Sequence, residues 1–157
     1  MIRHAVGAIV RKKRKFLMVH KIKIMDSKGG PKDISSQWDF PKGGVSNLDA
    51  SNRVAILREL AEETGSRKYR IIKEFKDRIC FDFPEDMRLN NYERQEITMF
   101  LVEYLGDGSD LIPRDEEIDE VRFFSEKEVL QRLKLEESRE FFKKRIEKKR
   151  RKALKFA

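Results

Sequence analysis

The segment Arg58-Glu59-Leu60-Ala61-Glu62-Glu63-Thr64-Gly65 places three carboxylates within five consecutive positions. On an α-helix each residue advances about 100°, so Glu59, Glu62 and Glu63 fall at about 0°, 300° and 40°, a single acidic stripe. Val54, Leu57 and Ala61 fall at about 220°, 160° and 200°, and this opposite stripe predicts a packed back for the helix. Glu59 and Glu63 are like charges at i,i+4 and repel. Arg58, at i,i+4 to Glu62, offsets part of that repulsion. A hard divalent cation would offset the rest, because Mg²⁺ takes oxygen ligands and bridges carboxylates to substrate phosphates. The plain alternative is a solvated acidic face, common in a chain with 41% charged residues.

The preceding residues favour the chemical reading. Gly44 lies fourteen residues ahead of Arg58, and Gly43-Gly44 lets backbone approach the carboxylates and offer a carbonyl ligand. Trp38-Asp39-Phe40-Pro41-Lys42 adds a stiff aromatic segment and a cation at the same end.

Several elements must position these groups. The apolar runs Ala5–Val10 and Phe16–His20 predict a buried strand pair, with Arg11 to Lys15 as a charged hairpin turn. Residues 21–37, containing Lys28-Gly29-Gly30-Pro31, are expected to form a long loop. Trp38 to Pro41 should be extended, since a residue before proline avoids the helical region. Lys42-Gly43-Gly44 should be a flexible turn. A helix is expected from Asp49 to Thr64, stopped by Gly65. Arg78–Phe83 alternates like a half-buried strand, 84–95 reads as a loop, and Glu96–Leu105 is the longest strand candidate. An acidic loop, Asp115 to Glu120, precedes a short strand, Val121–Phe124. Ser125 and Glu128 form a capping box opening a helix to about Leu133. A last helix from about Glu136, anchored by Phe142 and Ile146, runs into a basic tail. The mixture predicts an α/β or α+β sandwich.

The chain has 157 residues, enough for one domain and one core. One Cys excludes an internal disulfide framework and a Cys-rich zinc site, and two His argue against a His-based metal centre. No apolar run approaches the length of about 20 residues that spans a bilayer, and MIRHAVGAIVRKKRK lacks the apolar region of a secretory signal. A cytoplasmic protein without membrane contact is expected. The formal charge is +8, and residues 143–157 carry all of it, with nine basic side chains against Glu147. The expected division is therefore a neutral domain, 1–142, and a basic helical tail, 143–157. Such a tail attracts polyanions such as RNA, more weakly as salt rises; its plain alternative is a solvated helix end.

The stretch from Gly43 to Ser66 resembles the Nudix box, G-x5-E-x7-R-E-U-x-E-E-x-G-U with U a bulky apolar residue. Gly44, Arg58, Glu59, Leu60, Glu62, Glu63 and Gly65 match at the right spacing. Ala50 stands where the box has its first Glu, and Ser66 stands at the terminal apolar position. That Glu usually supports the metal site or the loop geometry. Asp49 is adjacent, but on a helix it would project about 100° away.

The resemblance implies a Nudix α/β/α sandwich with a mixed sheet and a loop–helix–loop metal site. It implies hydrolysis of a diphosphate linked to another moiety, with Mg²⁺ or Mn²⁺. Carried over by position, Glu59, Glu62 and Glu63 would be metal ligands, with the Gly43 carbonyl a further candidate. In some members the residue at the Glu59 position instead orients or deprotonates the water, and Arg58 would hold it. Glu117, with Glu116 and Glu120 as alternatives, would complete the site, since the segment around it resembles that before the last strand in dinucleoside-polyphosphate and RNA 5′-pyrophosphate hydrolases. Trp38–Gly44 resembles the same subgroup. Lys42 would contact phosphate, with Lys21, Lys23 and Lys28 extending that contact. Trp38 and Tyr92 are candidate substrate contacts, and Phe81, Phe83 or Tyr92 would stack a base, although strand phenylalanines also suit a core.

The leading expectation is thus a pyrophosphohydrolase acting on a dinucleoside polyphosphate or a 5′-triphosphorylated RNA end. Nucleoside triphosphates, sugar nucleotides and diphosphoinositols are alternative substrates. A nucleotide- or RNA-binding module with little turnover, motivated by Ala50, and a scaffold docking through the tail are the alternative classes.

Overall fold

The run AVGAIV is apolar almost throughout because the strand containing it is covered on both faces. The computed structural model describes residues 1–25, 31–85 and 92–147. They form strands β1 (Ile2–Lys12), β2 (Lys15–Met25), β3 (Pro31–Asp39), β4 (Lys42–Gly44), β5 (Tyr69–Asp82), β6 (Arg94–Tyr104) and β7 (Ile118–Ser125). The helices are α1 (Asn52–Thr64), α2 (Glu126–Arg132) and α3 (Glu136–Phe142), and a π-helical turn, Lys143–Glu147, follows α3.

The sheet is mixed. β1 runs parallel to β6 and antiparallel to β2 and β4, and β5 forms an edge beside β6. Alternation divides the interior between two cores. Ala5, Ile9, Phe16, Met18, Ile97 and Met99 pack with Val129 of α2, Leu133 just beyond its end, and Phe141 and Phe142 of α3. Val6, Ala8, Val10, Leu17, Val19 and Phe100 pack with Ala55, Ile56 and Leu60 of α1. This is an α/β/α sandwich around a mixed sheet, as expected from the sequence. Each fully buried large apolar side chain contributes about 1.5–3 kcal/mol. Phe142, wholly buried, meets Phe16 edge-on at 5.1 Å and so anchors the last helix as expected.

One topological detail creates the site. β1 and β2 pair only from Val10–Lys12 to Lys15–Leu17, across a two-residue turn in which Lys13 takes φ 57°. They then part like a fork. The freed edge of β1 takes β4, with Val6 opposite Gly43, and the freed edge of β2 takes β3, with Val19 opposite Asp39. Residues 39–44 therefore cross the mouth of the fork.

Three expectations need correction. Residues 21–37 are not a loop: β2 continues to Met25 and β3 begins at Pro31, with 26–30, and so Lys28, outside the described residues. Lys42-Gly43-Gly44 is not a flexible turn but a strand pinned to β1. The third concerns α1. Ser51 caps it by accepting from the Val54 N–H, and Gly65 ends it in the left-handed region at φ 84°. Its buried residues are Ala55, Ile56, Glu59, Leu60, Glu63 and Thr64, whereas Val54 and Leu57 are exposed. The helix thus turns Glu59 and Glu63 of its acidic stripe inward, away from the predicted packing face.

Candidate active site

Burying a carboxylate is expensive unless it is paired, so two acids on the inner face of α1 call for a local reason. Gly43 supplies part of it. A Cβ there would lie 1.9 Å from Glu59 Cδ, so only a bare backbone leaves room for that carboxyl. Arg58 supplies more. Its Nη1 donates to Glu59 Oε1 at 2.8 Å, and Nη2 donates to the Gly44 carbonyl at 3.0 Å. The same guanidinium pairs with Asp49 through Nε to Oδ1 at 2.9 Å and Nη2 to Oδ2 at 2.8 Å. One side chain therefore ties the glycine strand, the loop before α1 and the first inward carboxylate together. A helix starting at residue 49 would aim Asp49 elsewhere. The helix begins instead at Asn52, so Asp49 stands in the preceding turn and reaches Arg58.

Glu63 lies deeper. It is 4% exposed, and its Oε2 is buried with no hydrogen-bond partner. Burial pushes its carboxyl up to about 8, with Glu59, Asp115 and Asp39 adding to the rise and Lys21 opposing it. Burial also raises Glu59, against the pull of Arg58. Glu62 differs: its side chain is about half exposed and reaches Arg58 Nη1 only at 3.4 Å. The expected convergence of three acids is thus two inward carboxylates with Glu62 on the outer rim.

Lys21, on β2 at the fork, lies 3.8 Å from Asp39 and feels the charge of this cluster. Burial pulls its ammonium down, but Glu63, Asp39, Glu117 and Asp115 together hold it above the ordinary value. Glu117 belongs to the same electrostatic cluster: burial and Asp115 raise its carboxyl, and Lys21 and Arg3 oppose the rise. Asp115, which the sequence places only in an acidic loop, influences Glu59, Glu63 and Glu117 alike. Nothing in its local sequence distinguishes it from Glu116; the fold does.

Other candidates are placed elsewhere. Lys42 is buried, its ammonium 2.9 Å from Asp39 and 3.3 Å from Ser138 Oγ of α3, where burial lowers its pKa. It is an internal pair partner rather than an exposed phosphate contact. Trp38 packs against the α2–α3 core, its ring near His20 and Phe124, on the face of the sheet away from α1. Tyr92 is half-buried ahead of β6, and nothing among the described residues ties it to the carboxylates. Phe81 packs partly against the core and edge-on to Phe83 at 5.5 Å. Ser66, in place of an apolar residue, is 1% exposed and satisfied by donating to Asp110 Oδ2 at 2.6 Å.

Among the described residues no three His, Cys, Asp or Glu side chains stand close enough to hold an ion unaided. The donors nevertheless fit a hard cation: they are all oxygens, and Glu63 keeps one buried oxygen without a partner. An ion here would complete its shell with backbone, solvent or substrate oxygens, or with Glu62 released from Arg58. No described helix is long and apolar enough to cross a membrane.

A family model described as the NUDIX domain matches residues 1–145. An RNA pyrophosphohydrolase of Bartonella bacilliformis is 38% identical over 88 residues, covering 51% of this chain and 49% of that protein. One from a Nitratiruptor species is 33% identical over 100 residues, covering 62% and 64%. The chain thus spans about half to somewhat under two thirds of these relatives. The fold superposes on an E. coli dihydroneopterin triphosphate pyrophosphohydrolase with a TM-score of 0.70, at 12% identity over 91% of this chain and 94% of that one. A C. elegans Ap4A hydrolase gives 0.64 at 15% identity, covering 90% and 93%. At these identities the likeness is one of fold.

Proposed function

The chain belongs to the NUDIX family, and from that premise we propose that it is a metal-dependent pyrophosphohydrolase whose substrate is the 5′-triphosphate end of RNA or a dinucleoside polyphosphate. The observation that carries this reading is the inward pair Glu59 and Glu63, the second with an oxygen that has no partner in the protein. A purely structural helix has no use for two buried acids on its packing face. The similarity to RNA pyrophosphohydrolases supports the RNA-end substrate.

Glu59 and Glu63, with the backbone at Gly43, would hold Mg²⁺ or Mn²⁺, and Glu62 would close from the rim. When bound, the ion supplies positive charge to the phosphate oxygens and acidifies a water. The chain's own residues do the rest. Arg58 fixes the Glu59 carboxylate, which accepts the proton of the attacking water; Glu117 is the alternative base. Water oxygen bonds to phosphorus, the P–O–P bond breaks, and the bridging oxygen leaves on the departing phosphate. Lys21 would neutralise charge on the bound phosphates. The basic segment from 143 onward would add non-specific attraction to RNA.

Phosphate release from 5′-triphosphorylated RNA and from a dinucleoside tetraphosphate, with Mg²⁺ or Mn²⁺, tests the proposal. Turnover should require the metal and fall by orders of magnitude in Glu63→Gln. Tight binding of both compounds without release of product would favour a binding module instead.

A further inference from the structure

Beside the inward carboxylates lies a cleft of about 340 Å³ lined by Arg58, Ala61, Glu62, Arg67, Arg114 and Asp115. Three guanidinium groups share it, and they are not equivalent. Arg58 is committed to Asp49, Glu59 and Gly44. Arg67 and Arg114 are exposed, and neither side chain makes an ion pair or hydrogen bond with a described residue.

Both arginines are nonetheless firmly placed. Arg67 follows Gly65, whose missing Cβ lets the Ile112 carbonyl come close: a Cβ there would lie 2.1 Å from that oxygen. The Arg114 N–H donates to the Glu62 carbonyl at 3.1 Å, and Ser66 donates to Asp110. The loop from Gly106 to Asp115 is thereby fastened to the C-terminal end of α1, with Arg114 over Glu62. Glu62 and Asp115 line the same cleft, but neither pairs with these two guanidinium groups, and binding of an anion beside them lowers their mutual repulsion. The planar guanidinium fork matches phosphate oxygens.

We propose that Arg67 and Arg114 form a clamp for a phosphate group of the substrate other than the anhydride being opened. The inference rests on the pyrophosphohydrolase reading and refines it. Two sources present that chemistry: the outer phosphate of a free polyphosphate chain, and the phosphodiester that follows the first nucleotide of an RNA.

Affinity separates them without turnover. Two probes are titrated into the full chain with Mg²⁺: a methylene-bridged nucleoside triphosphate and a 5′-monophosphorylated dinucleotide. Wild type is compared with Arg67→Gln, Arg114→Gln and the double variant. The double variant should bind at least one probe tenfold or more weakly, with Lys at both positions restoring only part. Weakening confined to the triphosphate assigns the clamp to an outer phosphate; weakening on the dinucleotide assigns it to the diester. For an RNA strand, each phosphate left without its arginine should also lower the salt dependence of affinity by about 0.7 in the log–log slope. Equal affinities in wild type and double variant, or no binding of either probe by wild type, would overturn the clamp. If Arg114→Gln does not fold, Arg67→Gln, outside the fastened loop, decides the matter. Absence of hydrolysis by wild type would overturn the function and leave this binding test readable.

Discussion

Asp49 and Arg58 face each other in a two-point pair, Oδ1 to Nε at 2.9 Å and Oδ2 to Nη2 at 2.8 Å. The Asp49 carboxylate also accepts the Ser46 N–H at 2.8 Å. The family motif carries Glu one residue later, where this chain has Ala50. A shorter acid, set one place earlier in a turn that has not yet become helix, takes hold of the arginine that fixes Glu59.

Asp49→Ala should therefore lower kcat about 10–100-fold, the range typical when a partner that orients a metal ligand is removed. Introducing Ala50→Glu in that background should restore part of the activity. Steady-state kinetics on the three proteins checks this; an unchanged kcat in Asp49→Ala would show that nothing stands in for the missing Glu. The grip of Arg58 holds the Asp49 carboxyl down at about 2, so the pair should persist well below neutral pH and weaken only as the pH falls through that value.

Glu63 predicts the opposite pH dependence. Its folded pKa, about 8, lies above the ordinary 4.5, so between those values the folded state holds a proton that the unfolded chain has released. Stability of the metal-free protein is then greatest at or below pH 4.5 as far as this group is concerned, and it declines as the pH rises through 8. Glu63→Gln should raise the metal-free Tm at pH 8 by several degrees and leave it little changed at pH 5. Mg²⁺ should raise the Tm of wild type, and Glu63→Gln should abolish that rise. Thermal melts at the two pH values, with and without the ion, make the comparison.

The two adjacent glycines should behave differently. A Cβ on Gly43 meets the Glu59 carboxyl, and a Cβ on Gly44 meets Arg3 Nη2 at 2.5 Å. Both obstacles are ends of flexible side chains, so neither substitution should unfold the protein. Gly43→Ala, however, must displace the carboxylate proposed to hold the ion and take the proton, and a misplacement of about 1 Å costs about 10²-fold. Gly44→Ala displaces an arginine at the margin of the site and should cost less than tenfold. Equal effects on kcat would contradict the place given to Gly43.

Much of this architecture is legible in the chain. The central strands are apolar on both faces, and the box helix ends at the stop its sequence carries, Gly65, so there local pattern and final structure agree. The acidic stripe of α1 is legible too, but its direction is not. Periodicity alone sends Val54 and Leu57 inward, whereas β4 offers a bare glycine backbone to Glu59 and leaves those apolar residues in water. The first half of β5 carries no clear strand signal. It is an edge strand with alternate residues exposed, and its charged side chains blur the apolar alternation. Lys42 and Lys21 look alike in sequence. Only the fork between β1 and β2 determines that the first is held closely by Asp39 and Ser138, whereas the second stands 3.8 Å from Asp39 and feels Glu63 most strongly.

The basic segment gives the last prediction. Ile146 packs partly against the core, Phe142 is fully buried, and Arg145 pairs with Asp77 and lies over the Phe141 ring. Cutting at 143 would therefore damage the domain, whereas removing 148–157 leaves all of these interactions intact. Those ten residues include six Lys and Arg and no acid. If they meet the RNA backbone, the truncated protein should bind single-stranded RNA more weakly at low salt, and its log–log salt slope should shrink by about 0.7 for each phosphate no longer neutralised. Turnover of a dinucleoside tetraphosphate, which has no strand to reach them, should be unchanged. An RNA affinity that the truncation leaves unaltered at every salt concentration would confine substrate recognition to the folded domain.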